Sequence, residues 1–476
     1  MYNTPSSTGP TTDRCHAALA VLSVAQFIVA LDYSIMYVAL PSVAHDLDLG
    51  PAVSQWVISA YAVLFAGFLM VGGRLGDRVG ARRQFIVAIT LFGVTSAIGG
   101  TAQDAAILLT ARGAQGFSAA LLQPAILGLI GTTFPAGPSR SGALAVWGSV
   151  GAVGLAAGAI FGGLLTTVSW RLTFFINVPL TLLCALAAVA WFAQSPDRIR
   201  NGFVPLFASI LGTGAVLVLV TALSLAADLG WDSAPTRIAL CLALLLVLGF
   251  IMNERVAQHV LIARVLRRSR SLSIGSVATA LYMASVGSEF YLVTLLLQSA
   301  KGYTPLQAGL AFLPLAVMVT CGSTAAGRIV RNVPASTVLI GGFTIAAVGL
   351  AWLACALYGN SYVADLLPGL VISGFGHGVI YTSMFVIGTH DVPSDHQSAA
   401  GALLTTAQYL SGAITLAILT LVLGRSPSND CFRAAFLITS AAAAAGIVMI
   451  AAQQRRLAIA PTNDFDHVRH TTWAKD

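Results

Sequence analysis

Charged residues are scarce in this sequence: Asp, Glu, Lys and Arg together make up 9% of its 476 residues. A typical soluble domain has about 25% charged residues, and so few charges cannot cover the surface of a water-soluble globule. The hydrophobic share is 57% and the mean hydropathy is +0.84, which excludes an intrinsically disordered chain as well. The composition therefore predicts a protein that crosses a membrane many times.

The sequence also lacks motifs that ATP binding and metal binding commonly use. The only lysines are Lys301 and Lys475, and neither lies in a GxxxxGK[ST] pattern, which excludes an ATP-driven pump acting through this chain alone. No HExxH motif occurs, and none of the six cysteines forms a CxxC pair. We therefore predict no catalytic residues, no metal site and no cofactor.

Apolar runs long enough to span a bilayer, about 20 residues each, recur along the whole chain. The fourteen predicted spans cover residues 16–41, 52–73, 84–101, 105–131, 140–166, 171–193, 203–227, 236–253, 272–299, 305–327, 335–358, 362–389, 397–424 and 431–452. Most of the 25 Lys and Arg residues fall in alternate loops on the side of the N-terminus, which predicts that both termini are cytoplasmic. The net charge of +7 reflects this bias and does not indicate a nucleic-acid partner.

A weak internal sequence repeat indicates that the two parts of the chain arose by duplication. The loop after span 2 contains GGRLGDRVGARR at residues 72–83, and the loop after span 10 contains the weaker copy GRIVRNVPAS at residues 327–336. We predict an N-terminal six-helix half in residues 1–200 and two inserted central helices in residues 201–256. A basic cytoplasmic linker and a C-terminal six-helix half follow in residues 257–476. This layout is typical of transporters built from parallel repeats, whose substrate site lies between the repeats.

The segment at residues 73–83 concentrates charge between two apolar spans. Its glycines permit a tight turn and close helix approach, and Asp77 can accept hydrogen bonds from an arginine or from a helix N-terminus. Such a charge cluster can open and close one side of a membrane protein, whereas a plain positive-inside turn would need only the arginines. The predicted gating residues are Gly73, Asp77, Arg78, Gly80, Arg82 and Arg83.

This segment resembles motif A of the major facilitator superfamily, G-x-L-A-D-R-x-G-R-K, with Ala81 at a position that is basic in the motif. Further segments resemble signatures of the fourteen-span drug:proton antiporter branch: residues 31–41, 55–61, 112–116 (RGAQG), 170–179 (WRLTFFINVP) and 298–314. The resemblance covers nearly the whole chain. It implies an all-α polytopic protein with the major facilitator fold, located in the cytoplasmic membrane and exporting drugs in exchange for protons.

One signature of that branch, G-x-x-x-G-P-x-x-G-G, is altered in this chain. Residues 154–163 read GLAAGAIFGG, with Ala159 at the proline position, so the helix loses the kink that proline would produce. Gly154, Gly158 and Gly162 lie on one helical face. With Gly163, they are predicted to pack closely against another span.

Charges inside the spans are the main candidates for coupling, because a charge at the bilayer centre costs about 2.5–3.5 kcal/mol or more. Asp32 lies deep in the first span and is predicted to bind and release a proton; the alternatives are a fixed ion pair or a helix cap. Arg112 in the fourth span can pair with Asp32 or cap backbone carbonyls, and the resemblance implies a role in the proton relay. The polar residues Gln26, Tyr33 and Tyr37 recur on an adjacent face of the first span and are predicted to bind substrate.

A second set of candidates lies in the C-terminal half. Glu289 is near the middle of the ninth span, with Tyr282 and Ser285 on the same helical face. Glu289 beside an aromatic ring could hold a lipophilic cation, carry a proton, or form a structural hydrogen bond. Tyr282 and Glu289 are predicted to contact substrate. His377 and Tyr381, one turn apart, are predicted to do so as well, although a neutral histidine could also bond across helices.

Together these features predict a secondary active transporter and not an enzyme. Asp32, Arg112 and Glu289 would couple the export of small lipophilic or amphipathic drugs or antibiotics to protons. The expected partners are the small-molecule substrate, protons and the lipid bilayer, and we expect a monomer. The alternative on the same fold is a symporter or uniporter for a small metabolite. A membrane enzyme or sensor would need a soluble domain, for which the stretch at residues 254–271 is too short.

Overall fold

The computed structural model describes residues 12–192, 205–257, 260–359, 361–424 and 428–459, which fold as helices with no β-strand among them. The α-helices in chain order are α1 (Thr12–Asp46), α2 (Pro51–Val79), α3 (Ala81–Gly100), α4 (Ala105–Thr133), α5 (Pro138–Thr166), α6 (Leu172–Phe175), α7 (Asn177–Trp191), α8 (Leu206–Leu229), α9 (Ala234–Val256), α10 (Arg264–Arg268), α11 (Arg270–Ala284), α12 (Glu289–Leu295), α13 (Pro305–Ala311), α14 (Leu313–Ile329), α15 (Ala335–Ala356), α16 (Leu367–Gly388), α17 (Gln397–Leu423) and α18 (Asn429–Ile459). Short 3₁₀ segments lie at Val286–Ser288 and Ser394–His396, and π-helical turns at Leu296–Ala300 and Tyr362–Leu366. The predicted all-α class is confirmed.

Local sequence signals set many helix ends. The Asp104 side chain caps α4 by accepting a hydrogen bond of 2.9 Å from the backbone N–H three residues later. Thr304 and Gln307 form a reciprocal capping box at the start of α13. Gly80 and Gly230 end α2 and α8 with φ angles of 89° and 85°, a backbone conformation that favours glycine. These ends therefore follow from single residues.

Apolar side chains cover the outside of the bundle. In α7, the outward face carries Leu182, Leu183, Leu186 and Val189, each more than half exposed. Contiguous apolar surface of this kind is stable only against lipid or a partner. Thirteen helical stretches in the described residues are long and apolar enough to cross a membrane, and a shorter apolar helix covers Phe207–Leu223. This count agrees with the predicted set of fourteen spans.

The two predicted halves share one pattern of helix packing. In the first half, α1 packs on α5, α2 on α4, and α3 on both α4 and α7. In the second half, α11 packs on α17, α14 on α16, and α15 on both α16 and α18, so each pair has a counterpart at the matching place in the chain. The helices α8 and α9 pack on one another, and α8 also contacts α2 and α17. This arrangement supports a division into two halves and an inserted pair. The first predicted boundary, at residues 200 and 201, lies outside the described residues, so the division stays a prediction.

The halves meet closely at the end of the bundle that holds the turn at Gly80, which we call the Gly80 face. A Cβ added at Gly76 of α2 would lie 2.9 Å from the Ser398 Cβ of α17. A Cβ added at Gly327 of α14 would lie 2.6 Å from the Ala145 Cβ of α5. Two helix pairs, α2 with α17 and α5 with α14, therefore close this face, and each pair has one helix from each half.

The segment at residues 73–83 is not the loop that the sequence predicts. Helix α2 continues through Arg74 and Asp77 to Val79, and only Gly80 separates it from α3. The charged residues lie on a continuous helix because Gly73 and Gly76 face α17 and let the two helices approach closely. The turn between the two spans is thus a single residue.

The predicted ninth span at residues 272–299 is not one helix, which corrects the sequence prediction. Helix α11 ends at Ala284, a 3₁₀ turn follows at Val286–Ser288, and α12 then begins. Ser285 has φ −112° and ψ −107°, and the hydroxyls of Ser285 and Ser288 donate to backbone carbonyls of the preceding turn. Serine hydroxyls that bond to the backbone compete with helical hydrogen bonding, which accounts for the break.

Candidate functional site

Asp32 of α1 is fully buried and accepts three hydrogen bonds from side chains. Its Oδ2 accepts from Arg112 Nη1 of α4 at 2.8 Å, and its Oδ1 accepts from Asn177 Nδ2 of α7 at 2.8 Å. Gln115 Nε2 donates to the same Oδ1 at 3.2 Å. Three donors, one of them a guanidinium, stabilise a charged carboxylate inside the bundle.

Arg112 is 1% exposed and has several partners besides Asp32. Its Nε donates to the Val57 carbonyl of α2 at 3.1 Å, and its Nη1 also donates to Gln115 Oε1 at 3.0 Å. The guanidinium carbon lies 4.6 Å from the centre of the Tyr61 ring, a cation–π contact. Arg112 therefore makes both interactions that the sequence left open, the ion pair and the carbonyl cap.

Sequence reasoning named the two charges of this network but not the residues around them. Gln115 and Asn177 lie within the segments RGAQG and WRLTFFINVP, so the motifs carried a signal for both. Tyr61 likewise lies in the signature segment at residues 55–61, whereas Ser96, whose hydroxyl accepts from Gln115 Nε2 at 2.8 Å, had no such signal. The network draws on α1, α2, α3, α4 and α7, all of which belong to the first half.

A chain of aromatic rings leads from this network to the second half. Tyr33 and Tyr37, both predicted to bind substrate, share a hydroxyl–hydroxyl hydrogen bond of 3.1 Å. Ring centroids then lie 6.3 Å apart for Tyr33 and Tyr61, 5.9 Å for Tyr61 and Phe65, and 4.6 Å for Phe65 and Tyr409 of α17. Tyr37 remains 47% exposed. These rings form the first aromatic cluster, which crosses between the halves.

Gln26 lies apart from Tyr33, although the sequence placed them on one face. It is 7% exposed, and its Nε2 would lie 2.9 Å from a Cβ added at Gly151 of α5. One turn earlier in α5, a Cβ added at Gly148 would lie 2.7 Å from the Tyr381 ring. The predicted face of α1 therefore divides into two environments, one of which adjoins α5.

A second aromatic cluster contains three residues predicted to bind substrate. The Tyr282 hydroxyl hydrogen-bonds to His377 Nε2, and the Tyr282 ring lies 5.6 Å from that of Tyr381. Trp147 of α5 joins the cluster, 5.5 Å from Tyr381 and 5.0 Å from Phe385. Trp147 was missed by sequence reasoning, because a tryptophan in an apolar span gives no functional signal. This cluster also joins the halves.

Glu289 is fully buried at the first position of α12. Its Oε1 accepts a hydrogen bond of 2.6 Å from Ser373 Oγ of α16, and its Oε2 is buried without a hydrogen-bond partner among the described residues. The predicted shared face with Tyr282 and Ser285 is wrong, because the helix breaks between them and Glu289. Its hydrogen-bonding partner comes from a different span.

The predicted coupling residues therefore form two separate sites. Asp32 and Arg112 bond to each other, whereas Glu289 lies in the other half with Ser373. In the part of the chain that the structure describes, no group of three His, Cys, Asp or Glu side chains is placed to hold a metal ion. The polar chemistry of the site rests on two independent carboxylates.

The predicted gating cluster joins α2 to the start of α17. Asp77 Oδ1 accepts from the Ala399 backbone N–H at 3.2 Å, near the N-terminus of α17, and its Oδ2 lies 3.5 Å from His396 Nδ1. A Cβ added at Gly73 would lie 2.3 Å from the Ala402 Cβ. Of the two partner types predicted for Asp77, the helix N-terminus is present, and the carboxylate favours that end of the helix dipole.

The other predicted gating residues occupy different surroundings. Arg82 donates from Nη2 to the Val189 carbonyl of α7 at 2.9 Å, a contact within the first half. Arg78 is half-buried at the end of α2, Arg83 is exposed on α3, and Gly80 forms the turn between them. Asp77 and Gly73 contact α17 of the second half directly.

The predicted glycine ridge on α5 packs against α1. A Cβ added at Gly154, Gly158 or Gly162 would lie 2.9 Å or less from an atom of α1. Gly163, one position further, is half-buried. Helix α5 runs unbroken past Ala159, whose side chain lies outside the described residues. The ridge explains how α1 and α5 approach so closely.

Comparisons with known proteins extend over most of the chain. Residues 22–416 match the model of the Major Facilitator Superfamily. The chain is 35% identical over 435 residues to the cephamycin export protein CmcT of Amycolatopsis lactamdurans, covering 89% of each chain. It is 34% identical over 408 residues to the puromycin resistance protein pur8 of Streptomyces alboniger, covering 85% of this chain and 81% of that one. The human organic anion transporter MFSD10 (TETRAN) has a similar fold, with a TM-score of 0.67 at 13% identity over 92% of this chain and 99% of that one.

Proposed function

This chain belongs to the Major Facilitator Superfamily and is a multi-pass membrane transporter, and we propose that it exports small lipophilic or amphipathic antibiotics in exchange for protons. The direction of transport is supported by the relatives, which are named for the export of cephamycin and for resistance to puromycin. Resistance to a drug through a transporter requires that the drug leave the cell. We place the protein in the cytoplasmic membrane with both termini inside.

The observation that carries proton coupling is the buried pair of Asp32 and Arg112. A carboxylate and a guanidinium 2.8 Å apart, both about 1% exposed, are expensive to keep inside a membrane. Such charges are retained in a span when they carry out transport chemistry. A proton or a substrate that reaches this pair changes its electrostatic balance, which links occupancy to conformation.

The two aromatic clusters support a lipophilic substrate. Both lie where helices of the two halves meet, through Phe65 and Tyr409 in the first and through Trp147 and Tyr381 in the second. Aromatic rings with a few polar groups are the usual lining of sites for drug-sized ligands. Tyr33, Tyr37, Tyr282, His377, Tyr381 and Gln26 would supply these groups.

Alternating access would arise from movement of one half against the other. Asp77 holds the N-terminus of α17 at the Gly80 face, so this contact must break before a substrate can enter from that side. We assign this side to the cytoplasm. The present conformation is then closed toward the cytoplasm, and the Asp77 cluster is the latch that keeps it closed.

The energy available to such an exchanger is sufficient. One charge crossing a potential gives about 2.3 kcal/mol per 100 mV. A membrane at about 150 mV therefore supplies roughly 3.5 kcal/mol for each proton, enough for a concentration ratio of a few hundredfold.

Inside-out membrane vesicles test this proposal. With respiration energising the vesicles, we expect them to accumulate puromycin, and a protonophore to abolish the accumulation. Vesicles carrying the Asp32→Asn variant should accumulate none, while those carrying Asp232→Asn, a change at an exposed carboxylate in the turn between α8 and α9, should behave as the unmodified protein. Accumulation of puromycin that survives the protonophore would overturn proton coupling.

A further inference from the structure

The two buried carboxylates differ in the charge that their surroundings support. Asp32 is held by a guanidinium and two amide groups, which together stabilise its negative charge. Glu289 is equally buried but accepts a single hydrogen bond, from a neutral hydroxyl. Burial of a carboxylate without a counter-charge is strongly unfavourable, and such a group takes up a proton instead.

Glu289 lacks a cationic partner within the described part of the chain, where no Arg or Lys forms an ion pair with it. The elements around Glu289 are α11, α12, α16, α17, α18 and the adjoining turns. Their titratable side chains are Arg270, Tyr282, Tyr291, Lys301, His377, Tyr381, Tyr409, Asp430, Cys431 and Arg433. The side chains of Arg455 and Arg456 lie outside the described part of the chain. Arg270 and Arg433 lie at helix ends, and Lys301 donates to the Gly359 carbonyl at 2.8 Å.

We infer that Glu289 carries the transported proton and holds it in this conformation, with Ser373 as its positioning residue. The inference rests on the proposed function and narrows it, because that proposal does not say which buried carboxylate carries the proton. Ser373 lies 2.6 Å from Glu289 Oε1 and 3.4 Å from the Leu370 carbonyl.

These distances account for every proton in both states. When Glu289 is protonated, the proton lies on Oε2, and Oε1 accepts from the Ser373 hydroxyl as it does in this structure. When the proton leaves to water, the Ser373 hydroxyl goes on donating to the Glu289 carboxylate. No other co-reactant is needed, and Ser373 keeps a hydrogen bond in each state.

The broken span gives the site a means of opening. Glu289 follows directly after the 3₁₀ turn at Val286–Ser288, so α12 can tilt relative to α11 without breaking a regular helix. Discontinuous helices in transporters commonly form the sites of coupling ions. Tilting of α12 would separate Glu289 from Ser373 and admit water, which releases the proton.

Infrared spectroscopy tests the protonation state directly. The full-length protein, reconstituted in liposomes at neutral pH, should show the carbonyl stretch of a protonated carboxylic acid. Glu289→Gln should lose this band, Asp32→Asn should keep it, and Ser373→Ala should keep it at a higher frequency because one hydrogen bond is gone. The inference is overturned if Glu289→Gln keeps the band or if the unmodified protein has none.

Transport assays test the carrier role and separate it from the proposed function. Glu289→Gln should still exchange labelled for unlabelled puromycin across liposomes, but should fail to accumulate it against a gradient. Ser373→Ala should reduce gradient-driven uptake about tenfold, the effect of one hydrogen bond. Proton-driven uptake by Glu289→Gln would refute this inference alone. Absence of coupling in the unmodified protein would refute the proposed function, and the carrier role with it.

Discussion

At the scale of single residues, Asp32 and Arg112 form a pair whose stability depends on both members. Removal of one partner from a buried ion pair costs about 3–5 kcal/mol, because the other charge is left without compensation. We expect Asp32→Asn to lower the free energy of unfolding in detergent by an amount in this range, measured by denaturant titration. The double variant Asp32→Asn/Arg112→Gln should be more stable than Asp32→Asn, although neither should export. Equal stability of the single and double variants would show that Arg112 gains nothing from its charged partner.

Asn177 provides a second prediction at this scale. Its Nδ2 donates to Asp32 Oδ1 at 2.8 Å in a buried position, and a hydrogen bond to a charged group contributes about 1.5–3 kcal/mol. Asn177→Ala should therefore lower the unfolding free energy by about 2 kcal/mol. Asn332→Ala, at an exposed turn position, is the matched control and should change it little. A similar loss in both variants would mean that Asn177 has no special role.

Single residues were predictable from the sequence where a charge interrupts an apolar run. Asp32, Arg112 and Glu289 stand out in this way, and the structure confirms that all three are buried. Ser373 and Trp147 did not stand out, since serine and tryptophan are common in membrane spans. Their importance depends on contacts with distant parts of the chain, which no local pattern reveals.

At the scale of helices, the glycine ridge of α5 decides how closely α1 can approach. A Cβ at Gly158 would lie 1.9 Å from Ser34 Oγ and 2.6 Å from the Leu31 carbonyl. Gly158→Val should force the helices apart and lower the unfolding free energy by about 3 kcal/mol or more. Gly341→Val is the control, because a Cβ at that position in α15 has no neighbour within 4 Å. An equal loss for both substitutions would show that the effect comes from helix propensity and not from packing.

Helix positions followed well from apolar periodicity, with most predicted spans ending within a few residues of the observed helices. The misses occur where a tertiary contact or a side chain overrides the local pattern. Helix α2 continues through Asp77 because α17 packs against its glycines, and α11 stops at Ala284 because Ser285 and Ser288 bond to the backbone. Neither effect is visible in hydropathy.

At the scale of the whole molecule, the proposed mechanism requires the Gly80 face to open. A cross-link across this face should therefore stop transport reversibly. Gly76 and Ser398 face each other, because a Cβ at Gly76 would lie 2.9 Å from the Ser398 Cβ, and a shift of about 1 Å brings the two Cβ atoms to the separation of about 3.5–4.5 Å found in disulfides. In a background without the six native cysteines, Gly76→Cys/Ser398→Cys should lose export on oxidation and regain it on reduction. Each single cysteine variant should export equally before and after oxidation, and export that continues through a formed cross-link would exclude this face as a gate.

The echo of residues 72–83 at residues 327–336 predicts two repeats, and the matching helix contacts of the two halves support this prediction. The closed state of the Gly80 face could not be predicted, because a sequence is the same in every conformation that a transporter adopts. The mechanism depends on the difference between such states. A test of the proposed mechanism must therefore follow a complete transport cycle.

The most direct test of proton-coupled export uses the purified protein in liposomes that enclose a pH-sensitive dye. With no pH gradient imposed, puromycin is added outside and the internal pH is followed. Antiport predicts that protons leave as puromycin enters, so the interior becomes alkaline, and that protein with Glu289→Gln gives no change. Puromycin entry without proton movement would identify a uniporter, and acidification of the interior would identify a symporter; either result would contradict proton-coupled export.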